Sequence, residues 1–325
     1  MARTGGFPRP SLRPRPRPRP GVFAAVLAVS LGLAACGAGA DPTKAPAATG
    51  GSSSGGSAGG VTSIVVGAAD FSESQVLAEI YAQALTAKGI KATTRPNIGS
   101  REVYLKAVED KSVDIVPEYT GSLLSYLKKD ATAKGSDEVY AALQAALPAT
   151  LTVLAKSAAE DKNSIVVTKE TAAKWSLTSI GDLVAHQGEV VVAAPPEFQS
   201  RQQGLPGLKE AYGFVPKDFR PLKGKAIVDA LLGGQAQAAN IFSTDPSISA
   251  NGFVTLADPK LIFGSDNVVP LVRKDKVNDV VSMTLNAVSA KLDTATLTDL
   301  VKAVDVDKKD AKVVAKEWLA KIGLG

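Results

Sequence analysis

Two aromatic residues end parallel stretches of this 325-residue chain. Lys111–Thr120 (KSVDIVPEYT) and Gly234–Ser243 (GQAQAANIFS) each read as a turn, a strand of small or β-branched residues, an aromatic, and then a hydroxyl. Tyr119 and Phe242 would thus close the carboxyl ends of two strands, one in each half of the chain. Two rings facing across a cleft can grip a cation or an apolar ligand; packing into a core is the competing use. Arg201 follows Pro195-Pro196-Glu197-Phe198 on a loop after a strand, where its planar fork suits a carboxylate or an ion pair with Glu197. Asp70 and Asp266 stand in glycine-containing turns and serve equally as turn residues or as ligand charges. Arg101 at a helix start opposes the helix dipole and so requires a partner. His186 reads as a solvated helix cap. With one cysteine and one histidine, the chain has no Cys–His nucleophile pair and no multi-histidine metal site. There is no nucleophile elbow or phosphate loop. An enzyme is not expected, and neither a cofactor nor a metal.

The elements that must hold these residues alternate from Ser63 onward. Ser63–Val66, Lys91–Arg95 and Val113–Val116 read as strands, and helices are predicted from Ser72 (with Gln75 as a capping box), Ser100, Thr120 and Ser136. Leu151–Ala155 and Ile165–Thr168 read as strands at a crossing point. The rhythm then repeats with helices at Ser179–Ala185, Leu205–Tyr212 and Lys225–Leu232, strands at Glu189–Ala194, Ala236–Phe242 and Val268–Arg273, and three terminal helices. Such alternation predicts an α/β protein of mostly parallel sheets with helices on their faces, whose ligand sits beyond the strand carboxyl ends.

The N-terminus reads as an address. Arg3, Arg9, Arg13, Arg15, Arg17 and Arg19 carry more than the whole +5 net charge, so the body is near neutral and no nucleic-acid partner is expected. Val22–Ala35 is an apolar run too short for a stable span. It ends Leu33-Ala34-Ala35-Cys36, which resembles the bacterial lipobox. Residues 1–35 are expected to be a lipoprotein signal peptide, with Cys36 the acylated residue. Residues 36–60, rich in Gly, Ser and Ala, are expected to be a flexible tether. The solute-binding body is expected at 61–325, with lobe 1 at about 61–163 plus 268–325 and lobe 2 at about 164–267.

Within that body a series of short motifs occurs in order. They include Val66-Gly67-Ala68-Ala69-Asp70-Phe71-Ser72-Glu73, Gly99-Ser100-Arg101-Glu102-Val103 and Pro117-Glu118-Tyr119-Thr120-Gly121-Ser122-Leu123. Further on come Gly204-Leu205-Pro206-Gly207-Leu208, Phe242-Ser243-Thr244-Asp245-Pro246 and Asn267-Val268-Val269-Pro270-Leu271-Val272-Arg273. This series resembles the glycine betaine/choline/carnitine-binding proteins of osmoprotectant ABC transporters. The resemblance implies a two-lobed type II periplasmic-binding-protein fold with a cleft between the lobes. It implies an extracytoplasmic subunit that hands a quaternary amine, betaine or amino acid to ABC permease and ATPase subunits. It implies cage rings at Tyr119 and Phe242, a ligand hydroxyl contact at Ser122 and a carboxylate contact at Arg201. Ala69 stands where the family often has lysine, Asp266 where an aromatic is usual, and Ser164 in a region that often supplies a tyrosine. Together with Asp70, these departures imply a thinner, more acidic cage, suited to a ligand more positive than a betaine. An amino acid or other zwitterion is the alternative ligand; an enzyme or sensor domain is the alternative class.

Overall fold

The computed structural model describes residues 61–325. The predicted signal peptide, Cys36 and the tether lie outside the described residues. The chain first builds β1 (Ser63–Gly67), α1 (Ser72–Ala87), β2 (Lys91–Arg95), α2 (Arg101–Glu109), β3 (Ile115–Tyr119), α3 (Thr120–Leu127), α4 (Ser136–Ala146) and β4 (Leu151–Val153). It crosses and builds β5 (Asn163–Val167), α5 (Lys169–Trp175), β6 (Val191–Ala194), α6 (Leu205–Tyr212), β7 (Asp218–Pro221), α7 (Lys225–Leu232), β8 (Ala238–Phe242), α8 (Ser247–Asn251) and β9 (Val254–Thr255). It returns through β10 (Val268–Arg273) and closes with α9 (Asp279–Ser289), α10 (Thr294–Asp305) and α11 (Ala311–Lys321).

Two five-stranded sheets result, ordered β2-β1-β3-β10-β4 and β7-β6-β8-β5-β9. They are mixed rather than mostly parallel. β1 runs parallel to β2 and β3, and β6 parallel to β7 and β8. β10 is antiparallel to β3 and β4, and β5 antiparallel to β8 and β9. The reason is the crossing: β5 and β10 are the strands by which the chain enters each lobe from the other, and each runs back along its sheet. Their register pairs Val268 with Tyr119 and Asn163 with Phe242. Both strand-end rings are thereby placed beside the crossing. The crossing itself is two antiparallel segments, in which Glu160 bridges Asn267, Asp161 N donates to Asp266 O (3.1 Å) and Val268 N to Ala159 O (3.0 Å).

The first lobe is made from both ends of the chain. Helix α1 buries Val76, Leu77, Ile80, Tyr81, Ala84 and Leu85, whose spacing puts them on one face of a 3.6-residue helix. That face packs on β1 and β2 and against α9, α10 and α11, whose Leu285, Leu297 and Leu319 join the same core. Several local expectations give way to tertiary partners. Ser72 makes no capping box: its hydroxyl donates to Asp305 at 2.5 Å, and the Gln75 amide donates to Asn97. Ile180–His186 is a 3-10 rather than an α-helix. His186 is not simply solvated, because its ring stacks on Trp175 at 4.6 Å and 6°.

Candidate ligand-binding site

The loops at the strand carboxyl ends bring the two lobes together around a cavity of about 260 Å³. Its walls come from the start of α2 (Arg101, Glu102), from α3 and its end (Ser122, Tyr126), from the loops after β6 (Phe198, Arg201, Gln203), and from Asn163, Asn240 and Phe242. The size lies just below the ~300 Å³ at which drug-sized pockets begin, which suits a ligand of few heavy atoms. A larger depression of about 410 Å³ lies beside Arg95, Asn97, Lys106 and Asp110. It draws on lobe 1 alone, is more open, and receives none of the sequence-predicted site residues.

Three of those residues line the cavity: Ser122, Arg201 and Phe242. Arg201 reaches across to lobe 1, with Nε 3.0 Å from Glu102 Oε1 and Nη2 2.9 Å from Oε2. The partner expected from sequence, Glu197, is more distant at 3.9 Å. Burial would raise the Glu102 carboxyl, but hydrogen bonds from Arg201 and Ser100 outweigh it and hold it near about 2. Ser122 Oγ donates to Asp266 Oδ2 at 2.6 Å and lies 2.8 Å from the Gln203 side-chain amide of the other lobe.

Tyr119 is buried and stands one layer behind. Its hydroxyl donates to Glu73 Oε1 at 2.6 Å. Between it and Phe242 stands Phe71, with ring centroids 6.3 Å from Tyr119 and 5.6 Å from Phe242, both tilted. The two strand-end rings therefore do not face one another directly; Phe71, from the loop between β1 and α1, joins them across the lobes. Its signal in the sequence was its position just past a strand's carboxyl end, next to the Asp70 that drew attention instead.

The two candidate acids lie elsewhere. Asp70 is exposed and pairs with Lys223 of the other lobe at 2.5 Å. Asp266 is buried, and Oδ1 accepts from the backbone N of Gly121 (2.8 Å) and Ser122 (2.9 Å). Its carboxylate thus serves the first turn of α3, where unpaired N–H groups and the dipole favour an anion. Burial nevertheless pushes it up to about 6. Neither acid lines the cavity, so the more acidic cage expected from Asp70 and Asp266 is not what the geometry provides. Ala69 is buried with its N–H on Ser74 Oγ, and Ser164 Oγ is turned to the Ile241 carbonyl.

Arg101, which also lines the cavity, and its partner Glu118 are both buried. Arg101 Nε and Nη2 donate to the Glu118 carboxylate at 2.9 and 2.8 Å, and Tyr104 and the Tyr119 N–H fill its remaining lone pairs. This is the partner that Arg101's position against the helix dipole demands. Deeper, Glu73 Oε2 accepts from Thr244 of the other lobe at 2.6 Å, beside Asp161 of the crossing.

Two lobes of mixed α/β sheet, crossed twice by the chain and enclosing a small polar and aromatic cavity, define a solute-binding protein. Among the described residues there is no group of three or more side chains suited to a metal, and no helix long and apolar enough to cross a membrane. Residues 62–321 match the substrate-binding domain of the ABC-type glycine betaine transport system, and the chain belongs to that family. It is a transport protein and not an enzyme. It is similar to the glycine betaine-binding protein YehZ of Escherichia coli, at 29% identity over 80% of this chain and 90% of that one. It is also similar to a glycine betaine-binding protein of Pseudomonas aeruginosa, at 27% over 78% and 86%. A solved glycine betaine/carnitine/choline ABC transporter structure superposes with a TM-score of 0.64 at 26% identity, covering 80% of this chain and 99% of that one.

Proposed function

We propose that this chain is the extracytoplasmic, lipid-anchored receptor of an ABC importer and that it carries a small quaternary ammonium zwitterion of the glycine betaine type. The observation that carries this reading is the inter-lobe cavity itself. It is small, it is bounded by aromatic rings from both lobes and by serine and arginine side chains, and the Arg201–Glu102 pair bridges its rim. A trimethylammonium head is satisfied by π-faces and weak polar contacts, because it cannot donate strong hydrogen bonds. A carboxylate tail is satisfied by guanidinium forks. The relatives support the same chemistry: two are named for glycine betaine, and one of Listeria monocytogenes, 25% identical over 80% of this chain, is named for carnitine. Glycine betaine and carnitine are both trimethylammonium carboxylates.

The anchor is proposed on Leu33-Ala34-Ala35-Cys36 and the Gly/Ser-rich stretch that follows. Ligand contacts from both lobes favour the closed arrangement, and the permease would recognise it in that state. A thermal-shift panel of glycine betaine, carnitine, choline and the common amino acids tests the ligand class. A ligand at ~100 times its dissociation constant adds ~2.7 kcal/mol of stability. The expected result is a shift with the betaines; a shift with amino acids alone would replace the proposed ligand. For the anchor, Cys36→Ser should move the protein from membrane to soluble fractions or leave it unprocessed, and unchanged fractionation would remove Cys36 from the proposal.

A further inference from the structure

We propose that the lobes take up a proton when they close, at a carboxyl pair made by Glu73 of lobe 1 and Asp161 of the crossing, so that the protein holds its ligand more tightly in acid; this rests on the reading that ligand binding closes the lobes. Glu73 lies in the first turn of α1, and Thr244 follows β8 two residues after Phe242 of the cavity wall. The Thr244 hydroxyl donates to Glu73 Oε2 at 2.6 Å, and its backbone N–H donates to Asp161 Oδ1 at 3.1 Å. The Ser243 hydroxyl also donates to Asp161 Oδ1, at 3.3 Å, and the Lys162 backbone both donates to and accepts from Ser243. Asp161 is thereby tied to lobe 2, and Glu73 meets both Thr244 and Asp161 across the lobes. The motion that would part Phe242 from the Phe71 ring of lobe 1, 5.6 Å away, would part these contacts as well.

In the closed arrangement the pair is out of solvent and lacks a countercharge. Glu73 and Asp161 are each only 4% exposed. Among the described residues no lysine or arginine forms an ion pair with either; Lys162, next in the chain, pairs with Glu160. The titratable groups that face the pair are a phenol and further acids: Tyr119 at the end of β3, Asp245 after β8, and Asp266 on the returning segment. Two carboxyls within hydrogen-bond reach in such a place cannot both stay ionised, and a hydrogen bond between them needs a proton. Burial and the neighbouring acids accordingly hold both above the ordinary carboxylate range, Glu73 at about 7. Opening the lobes takes Thr244 and Asp161 away from Glu73 and admits water, which returns the pair toward its ordinary range. The closed form thus binds a proton from solvent that the open form releases. A ligand that selects the closed form inherits that proton. Affinity is full below about pH 4.5, falls as pH rises, and levels off above about 7.

Glycine betaine is the probe, because its quaternary nitrogen has no proton and its carboxylate stays ionised over this range. Calorimetric titration at intervals from about pH 5.5 to 8, in two buffers of different ionisation enthalpy, gives both the affinity and the protons taken up. The wild type should take up about 0.5–1 proton at the acid end and bind about 10- to 30-fold more weakly at the alkaline end. Asp161→Asn keeps the acceptor for Thr244 and Ser243 and offers Glu73 an amide N–H in place of the shared proton; Glu73→Gln removes the other acid. Each should flatten the affinity to within about threefold across the range and lose most of the proton uptake. Asp266 and His186 remain in both variants, so the lost slope belongs to the pair. Equal heats in the two buffers with a flat affinity in the wild type, or an unchanged slope in both variants, would overturn the proposal. If neither variant folds, the wild-type proton count decides. If glycine betaine does not bind at all, the ligand reading fails and the proton is read without it. Small-angle scattering of the ligand-free wild type should then give a smaller radius of gyration at about pH 5 than at about pH 8, and equal radii would overturn closure by protonation.

Discussion

Replacing Glu73 with glutamine should flatten the dependence of stability on pH. Glu73 sits where the lobes meet, accepting from Tyr119 on its own lobe and from Thr244 on the other, both at 2.6 Å. Burial pushes its carboxyl up from 4.5 to about 7, against the hydrogen bonds from Thr244 and Tyr119. Asp161 beside it is pushed well up by burial and by Glu73. Between pH 4.5 and 7 the folded protein therefore holds more protons than the unfolded chain. Stability is fully present below this window and falls as pH rises through it. At 1.36 kcal/mol per pH unit, Glu73 contributes a fall of ~3 kcal/mol. For a body of this size that is a drop of roughly 6 °C in melting temperature. A glutamine keeps an acceptor oxygen for only one of the two hydroxyl donors, Tyr119 and Thr244, so the variant starts from a lower stability and the comparison is of slopes with pH. Thermal melts of both proteins at intervals from pH 5 to 8 give the difference directly. The wild type should lose stability relative to Glu73→Gln by that amount. Parallel curves would refute a shared, protonated acid site at the lobe junction.

Gly121→Ala should destabilise the body by ~1–3 kcal/mol, because the new Cβ would lie 2.4 Å from the Ser265 carbonyl of the returning crossing segment; an unchanged urea midpoint would show that the segment yields freely. Arg201→Met removes the cross-rim fork to Glu102, a partly exposed pair worth ~0.2–1 kcal/mol. The ligand-free variant should be measurably more open by small-angle scattering, as should the wild type in high salt, and identical profiles would deny the pair a part in closure.

The fold was largely legible because hydrophobic periodicity is local. The bounds of α1, β2, α6, α7 and β10 follow from their patterns as the structure has them. The antiparallel strands were not legible, since parallel and antiparallel buried strands share one apolar pattern and only the double crossing sets their direction. The short β7 and β9 lie on sheet edges with too few residues to show a period.

The site was legible by halves. The echo between Lys111–Thr120 and Gly234–Ser243 placed Tyr119 and Phe242 at equivalent strand ends because the two sheets repeat one order. It could not show that Phe71 stands between them. Asp70 and Asp266 drew functional readings from their turns, but long-range partners, Lys223 and the first turn of α3, take up their charge. The Glu118 partner of Arg101 lies 17 residues away across the lobe-1 sheet end, beyond any local pattern. The dipole conflict at the start of α2 was the one hint of it.

The central claim is that the cleft between the lobes, with Phe242 on its wall, is where a trimethylammonium zwitterion binds. Calorimetric titration of glycine betaine into the wild type and into Phe242→Ala tests it most directly. The wild type should titrate to one site per chain, and the variant should bind roughly 2- to 30-fold more weakly, the range for one ring facing a cation. No saturable heat in the wild type, or undiminished affinity in Phe242→Ala, would contradict it.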